Sequence, residues 1–343
     1  MPKLGVGVVG VGEMGRCHAY NLRQLVPEAN LIAIADLNGS RARQVADELE
    51  IEHSYSSLDA MLERQDIRAV VIATPDKFHT DAVQAVARAG KDILCEKPLG
   101  LDAKSATAAL RAVEQAGVQM QVGFMRRYDP AHIAAKLQID AGEIGEPVIY
   151  KSVGRDKDTP PIGAYESRIN GMLFFTNSIH DFDSARWLMG DEVAEVHAFG
   201  TTTIRPELDQ YDDIVAGSVN LRFQKGAIGN VESYTQCLYG YDVRTEIVGS
   251  KGSIMLGSLQ QHSATFLKPH GGSYELADHF LTRFRDAYLA QLKDFVHNLL
   301  HDRPLQVTGK DGLRAVEIAV AAEASHRSGS PHTVSIIDDY NII

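Results

Sequence analysis

Leu4-Gly5-Val6-Gly7-Val8-Val9-Gly10-Val11-Gly12-Glu13-Met14-Gly15 is the stretch whose reading decides the fold. Its apolar front, Leu4 to Gly10, predicts a buried strand, and the residues from Glu13 to Leu25 predict a helix that starts at once. Between them Gly10, Gly12 and Gly15 stand in G-x-G-x-x-G spacing. Glycines so placed permit a tight turn, a close approach by a ligand and close helix packing, and the helix N-terminus then faces negative charge. Context strengthens a short motif: the next apolar run, Leu31 to Ala35, ends in Asp36, 21 residues after Gly15. An acid there can accept hydrogen bonds from the adenosine ribose of a bound dinucleotide and repel a 2′-phosphate, which points to NAD rather than NADP. Arg41 and Arg43, just downstream, read as solvated charges on the following helix, Ser40 to Leu49.

Further along, the alternation repeats. Ala69 to Ala73 predicts a strand and Ala82 to Ala89 a helix; Asp92 to Cys95 predicts a strand and Ala103 to Gln115 a helix; Val118 to Val122 predicts one more strand. Short apolar strands without period-2 patterning, alternating with helices, describe a parallel sheet covered on both faces. The fold class is therefore α/β, with an N-terminal Rossmann domain built as a doubly wound parallel sheet. Ligands of such sheets bind beyond the carboxyl ends of the strands. The expected cofactor-binding residues are accordingly Gly10, Gly12, Glu13, Met14, Gly15, Asp36, Leu37, Thr74, Pro75, His79, Glu96 and Lys97.

With 343 residues the chain exceeds what one core usually holds, so two domains are expected: 1–125, binding NAD, and 126–343, binding substrate and mediating oligomerisation. The second domain reads as α+β. Pro147 to Val153, Val215 to Leu221 and Ile228 to Tyr234 alternate polar and apolar residues between glycine turns, which predicts a large, mainly antiparallel open sheet with a helix on one face. Its free face suits a contact with another copy of the chain. The polar loop Gly154 to Pro161 reads as substrate-contacting or solvated. Helical spacing returns at about Asp278–His301 and Lys310–Ser328.

A net charge of −11 without a dense lysine and arginine run excludes nucleic acid and anionic membrane as partners. The three cysteines, Cys17, Cys95 and Cys237, form neither a CxxC pair nor an even framework, which fits buried thiols in a reducing compartment. No apolar run is long enough for a membrane helix and the N-terminus carries no export pattern, so a cytoplasmic location is expected. Without HExxH or a compact histidine–carboxylate cluster in the sequence, no metal is expected.

At Cys95-Glu96-Lys97-Pro98 a strand runs into Glu-Lys-Pro, and there the chain resembles the Gfo/Idh/MocA family of oxidoreductases. The resemblance spans nearly the whole chain. Within that family it is nearest the inositol dehydrogenases, through Gly123-Phe124-Met125-Arg126-Arg127-Tyr128-Asp129, Tyr239-Gly240-Tyr241-Asp242, Glu246-Ile247-Val248-Gly249, and the segment from Arg283-Phe284 through Ala287-Tyr288 to Phe295. It implies a homo-oligomer, a tetramer or dimer, and a cyclic polyol or sugar as substrate.

Lys97 is the first expected catalytic residue: an ammonium at a strand end beside the cofactor can hydrogen-bond a reacting hydroxyl, and the family's equivalent lysine is catalytic. His180 is the second, through resemblance to the family's D/N-x-x-x-H motif, whose histidine is the proposed base; imidazole suits proton removal near neutral pH. Four residues before His180 stands Thr176, the third expected catalytic residue, where inositol dehydrogenases usually carry aspartate, and Asn177 follows. Either can hydrogen-bond a substrate hydroxyl or orient the imidazole, but neither supplies the charge that raises a histidine's basicity. Asp183, one turn beyond His180 in what reads as an amphipathic helix from Ser178 to Met189, is a candidate for the missing carboxylate. Arg126, Asp156, Asn177, Asp183 and Tyr239, with Lys97 and His180, form the expected substrate set. Two alternatives accompany this reading: a dehydrogenase of another cyclic sugar or glycoside, and a non-catalytic NAD-sensing regulator.

Overall fold

The computed structural model describes residues 2–157, 160–166, 172–257 and 259–337. These fall into two compact units, one of residues 2–125, 286–316 and 337, the other of the described residues within 126–285 and of 317–336.

In the first unit the strands are β1 (Leu4–Val9), β2 (Ala29–Ala35), β3 (His53–Tyr55), β4 (Ala69–Ile72), β5 (Asp92–Cys95) and β6 (Met120–Val122). Between them lie α1 (Glu13–Gln24), α2 (Gly39–Glu48), α3 (Leu58–Leu62), α4 (His79–Arg88) and α5 (Ala103–Ala116). The six strands are parallel, in the order β3-β2-β1-β4-β5-β6. This is the doubly wound order of a dinucleotide-binding fold, with its reversal between β1 and β4. Val6, Val8, Ile34, Val70, Val71 and Leu94 are fully buried because helices cover both faces, which explains strands without alternation. Side-chain caps start three of these helices, α2, α3 and α5. Asn38 accepts from Arg41 N–H at α2, and Asp102 accepts from Ser105 N–H at α5. Neither β3 nor α3 was legible in the sequence, since three half-buried polar residues and a five-residue helix carry little periodicity.

The second unit contains α6 (Pro130–Asp140), β7 (Pro147–Arg155), α7 (Ile162–Glu166), α8 (Ile179–Met189), β8 (Val193–Thr201), β9 (Ala216–Phe223), β10 (Ile228–Tyr234), β11 (Asp242–Gly249) and β12 (Ser253–Leu256). A small hairpin of β13 (Phe266–Lys268) and β14 (Gly271–Ser273) precedes the short helix α9 (Phe280–Arg283). Helices α10 (Arg285–Leu300) and α11 (Gly309–Ser328) and the short strand β15 (His332–Thr333) complete the chain. The sheet order is β12-β11-β7-β10-β9-β8-β15, antiparallel throughout except for the pair β7–β10. The expected mainly antiparallel sheet is present.

Two expectations are revised. The expected second domain, 126–343, includes both C-terminal helices, whereas residues 286–316 group with the first unit. The reason is apolar: Leu292, Phe295, Val296 and Leu299 of α10 share one buried cluster with Val6, Val8 and Leu22. Each such side chain contributes about 1.5–3 kcal/mol on burial. Helix α8, read as amphipathic, is instead buried at nine of its positions, including His180, Asp181 and Asp183. Its acids tolerate burial because arginines neutralise them, as described below. Among the described residues no helix is long and apolar enough to cross a membrane.

Candidate functional site

Each glycine of the loop after β1 has its own physical reason. Gly10 has φ +80°, and a Cβ there would lie 2.5 Å from the Ala73 carbonyl oxygen, so the residue serves both a left-handed turn and the close passage of the β4 end. At Gly15 a Cβ would meet the Gly10 carbonyl at 1.7 Å, and helix α1 can rest on the strand only without one. Gly12 differs. Its φ of −66° suits any residue, and no described residue comes within 4 Å of the Cβ position. The chain itself has no need of glycine there; a ligand that comes close to the backbone does. Open space at Gly12 above the α1 N-terminus is therefore the observation that fits the pyrophosphate of a dinucleotide.

At the end of β2, Asp36 is 4% exposed and fully engaged. Its Oδ2 accepts from Val11 N–H at 2.9 Å, and its Oδ1 accepts from Asn38 N–H at 2.8 Å. Arg41 donates from Nε to Oδ2 at 3.1 Å and from Nη2 to Oδ1 and Oδ2 at 2.7 and 2.9 Å. Burial pushes the carboxyl up, but these donors outweigh it and hold it below its ordinary range. Arg41, expected to be a solvated charge, is half exposed and also closes its fork on the acid expected to read the ribose. Leu37, beside it, is 81% exposed.

The third corner is at the ends of β4 and β5. His79 is 1% exposed and lays Nδ1 on the Pro98 carbonyl at 2.7 Å and Nε2 on the Thr74 carbonyl at 2.8 Å. It ties together the two loops that carry Thr74-Pro75 and Lys97-Pro98. Glu96, 6% exposed, accepts from His18 Nε2 at 2.7 Å with Oε1 and from the Lys97 N–H at 3.3 Å with Oε2. Burial raises its pKa; the His18 hydrogen bond and charge more than reverse this, and the carboxyl lies below its usual range. Gly123 makes room for it, since a Cβ there would lie 2.8 Å from Oε2. The Lys97–Pro98 peptide is cis. Asp76, which sequence reading missed, lies within the field of Lys97, and burial pushes its carboxyl up against the pull of that ammonium.

In the second unit the ends of β7, β10 and β11 meet in register, with Arg155 opposite both Tyr234 and Asp242. Around this sheet end gather Arg126, Asp156, Asn177 and Tyr239 of the expected substrate set. Thr176 and Asn177 lie on a π-helical turn, Phe174–Ser178, that leads into α8 and His180, a local form frequent at functional sites. Gly154 on β7 fits closely against it: a Cβ there would be 2.8 Å from Asp181 Oδ2 and 3.0 Å from Asn177 Oδ1. Among the described residues, Asn177 Oδ1, Asp181 Oδ2 and Arg126 Nε are buried atoms without a hydrogen-bond partner. Asp156 joins through its backbone, which donates to Tyr234 O and accepts from Cys237 N–H, each at 2.8 Å.

Ion pairs organise this corner. Arg126, 2% exposed, donates to Asp181 Oδ1 at 2.5 Å. Arg127 donates from Nε and Nη2 to the two oxygens of Asp183 at 2.9 and 2.6 Å. Asp183, the carboxylate expected to serve His180 or substrate, is 1% exposed and forms this bidentate pair with Arg127. Arg126 likewise has a buried charged partner in Asp181, a residue the sequence reading passed over. Tyr239 accepts from Arg155 Nη1 and donates to Asp242 Oδ2, both at 2.7 Å. Its hydroxyl is raised to about 12, first by partial burial.

One further group was invisible in sequence. Glu28, His297 and His301 offer ligand atoms all within 4.8 Å of one another, the two imidazoles lying one helical turn apart and their carboxylate 269 residues away from His297.

A dinucleotide loop, an acid at the end of β2 and a second unit with an open sheet define an NAD-dependent oxidoreductase. Two family models cover the chain in turn: "Oxidoreductase family, NAD-binding Rossmann fold" over residues 4–124 and "Oxidoreductase family, C-terminal alpha/beta domain" over 136–336. The chain belongs to the Gfo/Idh/MocA family, as its Glu-Lys-Pro strand end implied. Among its relatives, the scyllo-inositol 2-dehydrogenase (NAD(+)) of Bacillus subtilis is 40% identical, over 94% of each chain. The myo-inositol 2-dehydrogenase of Thermotoga maritima is 35% identical, over 93% of this chain and 95% of its own. The solved scyllo-inositol dehydrogenase of Lactobacillus casei, with bound NAD(H) and scyllo-inositol, matches with a TM-score of 0.89 at 28% identity, over 97% of this chain and 99% of that one.

Proposed function

We propose that the chain oxidises a ring secondary alcohol of an inositol, myo-, scyllo- or chiro-, to the corresponding ketone. The observation that carries this reading is the polar corner at the end of β7, where Asn177 Oδ1, Asp181 Oδ2 and Arg126 Nε find no hydrogen-bond partner among the described residues and lie beside a glycine. Such a set of neutral and paired hydrogen-bonding groups suits a polyhydroxylated ring better than a charged substrate. Similarity to inositol dehydrogenases along nearly the full chain supports it.

In this proposal the Lys97 ammonium hydrogen-bonds the reacting hydroxyl and lowers the cost of its deprotonation, while His180 takes the proton. Bound NAD supplies the hydride acceptor at nicotinamide C4, and the carbon left behind becomes a carbonyl. Glu96 holds the backbone of Lys97, and the pair Arg126–Asp181 anchors the start of α8. Exposed apolar side chains on the sheet, among them Phe199, Ile228 and Met255, support assembly into a homo-oligomer.

Initial rates of NADH formation with myo-, scyllo- and chiro-inositol and with aldoses test the substrate. Inositol turnover that disappears in His180→Ala is the expected result. Turnover of aldoses but of no inositol favours the second reading, a dehydrogenase of another cyclic sugar, which Thr176 in place of an acid motivates. NADH binding with no turnover of any polyol overturns both.

A further inference from the structure

Thr176 brings no charge to the turn that carries Asn177 and leads to His180, yet a carboxylate does stand against that turn. Asp213 Oδ1 accepts from Leu173 N–H at 3.1 Å and from Ile214 N–H at 2.7 Å. The first bond satisfies a donor at the start of the helical segment 173–178, where negative charge also meets the favourable end of the helix dipole. Asp213 and Thr176 line one small cavity of about 20 Å³, together with Leu173, Thr235 and Tyr165. That is room for a single water, and Asp213, Thr176 and Thr235 contribute polar residues to its lining.

We propose that Asp213 is a positioning residue for the reaction: it takes over the part of the acid absent at 176 by locking the turn through Leu173 and by reaching Thr176 through one water. The inference rests on the dehydrogenase reading above and says which group sets that site's geometry.

Asp213 is an expensive choice for a mere cap. Burial pushes its carboxyl up to about 6, against the two backbone N–H groups that pull it down, and Glu323 of α11 adds to the rise. The other titratable groups around it are Tyr165 on α7, Asp209 and Asp212 before β9, and His326 and Arg327 on α11. A group raised in the folded state favours folding in its protonated form, so its charge lowers stability as pH rises from the unfolded carboxylate range through about 6. A neutral cap would hold the fold better. Retention of a carboxylate there fits a role in the site.

Asp213→Asn keeps an oxygen for Leu173 N–H and mimics the protonated acid. The expected result is kcat/KM for the accepted polyol about tenfold below the unaltered enzyme at pH 8, the size of one charge-assisted hydrogen bond. That ratio should converge toward 1 below pH 6, while the Tm at pH 8 stays equal or rises. Most of the loss should fall on kcat, and Asp213→Ala, which removes the acceptor as well, should lose more. A ratio independent of pH, or a Tm that falls in step with activity, shows a structural cap and overturns the proposal. Absence of polyol turnover in the unaltered enzyme overturns the reading beneath it and the proposal together.

Discussion

Arg41 places its guanidinium on both oxygens of Asp36, at 2.7–3.1 Å, while the backbone N–H groups of Val11 and Asn38 take one oxygen each. The carboxylate therefore has little acceptor capacity left for a ribose, and its charge is largely balanced before a cofactor arrives. Arg41 is half exposed and can turn away; the backbone donors cannot. Asp36→Ala should accordingly weaken NADH binding by about tenfold or more and raise the kcat/KM ratio of NADP to NAD, since the repulsion of a 2′-phosphate goes while Arg41 stays. Arg41→Ala should move the ratio the other way. Titration of NADH and NADPH fluorescence with both variants measures this, and a ratio unmoved by Asp36→Ala would sink the assignment.

The glycine loop separates into folding and binding by substitution. Gly15→Ala puts a methyl 1.7 Å from the Gly10 carbonyl, which no side-chain movement relieves, so the first unit should lose several kcal/mol or fail to fold. Gly12→Ala meets empty space, so its melting temperature without cofactor should match that of the unaltered chain. Its NADH affinity should fall by at least about tenfold, as a methyl stands where the backbone must approach the pyrophosphate. Normal NADH affinity in Gly12→Ala would refute the placement.

Asp129 ties the start of α6 to α9. Its Oδ2 accepts from His132 Nδ1 at 2.7 Å and its Oδ1 from Arg283 Nη1 at 3.1 Å. Burial raises the carboxyl, but His132 and then Arg283 bring it down to about 2. A depressed acid contributes stability that is complete above its unfolded pKa, about 3.9, and is lost as pH falls through the folded value. Asp129→Asn should thus cost about 2 kcal/mol at pH 7, and urea titrations should show that difference shrinking between pH 4 and pH 2. A difference that holds constant with pH would mean that packing, not charge, is responsible.

What was legible in sequence followed from period and position. Short apolar strands and the Gly10–Gly15 spacing are local signals, and β1, β2, β4 and β5 lie where those signals stand. Pairings across long separations were not legible. Arg41 was read as solvated because sequence spacing does not show whether it turns toward Asp36 or toward water. A shared helix suggests Asp183 as a partner for His180, but its pair with Arg127, 56 residues earlier, carries no signal in the sequence. Helix α10 looked like part of the second domain because it follows that domain in sequence, yet its apolar face belongs to the core of the first unit. Asp181, Asp213 and Gly154 carry no motif at all; only their neighbours in space mark them.

Gly154 gives the sharpest test of the substrate corner. It lies within β7, outside the left-handed region, so its backbone would accept any residue. What excludes a side chain is the approach of Asp181 Oδ2 and Asn177 Oδ1 to within 2.8 and 3.0 Å of the Cβ position. Asp181 cannot yield easily, being 0% exposed and paired with Arg126, so Gly154→Ala should push Asn177 and the turn before α8 outward. A shift of about an ångström in a positioning group can lower turnover by about 10²-fold. The expected variant therefore folds, with a modest loss in Tm from strain against α8, and keeps its NADH affinity because the first unit is untouched. Its kcat/KM for the accepted polyol should fall by one to two orders of magnitude. Polyol kinetics beside an NADH titration on the same preparation separates the effects; unchanged polyol kinetics would show that Asn177 and Asp181 take no part in holding substrate.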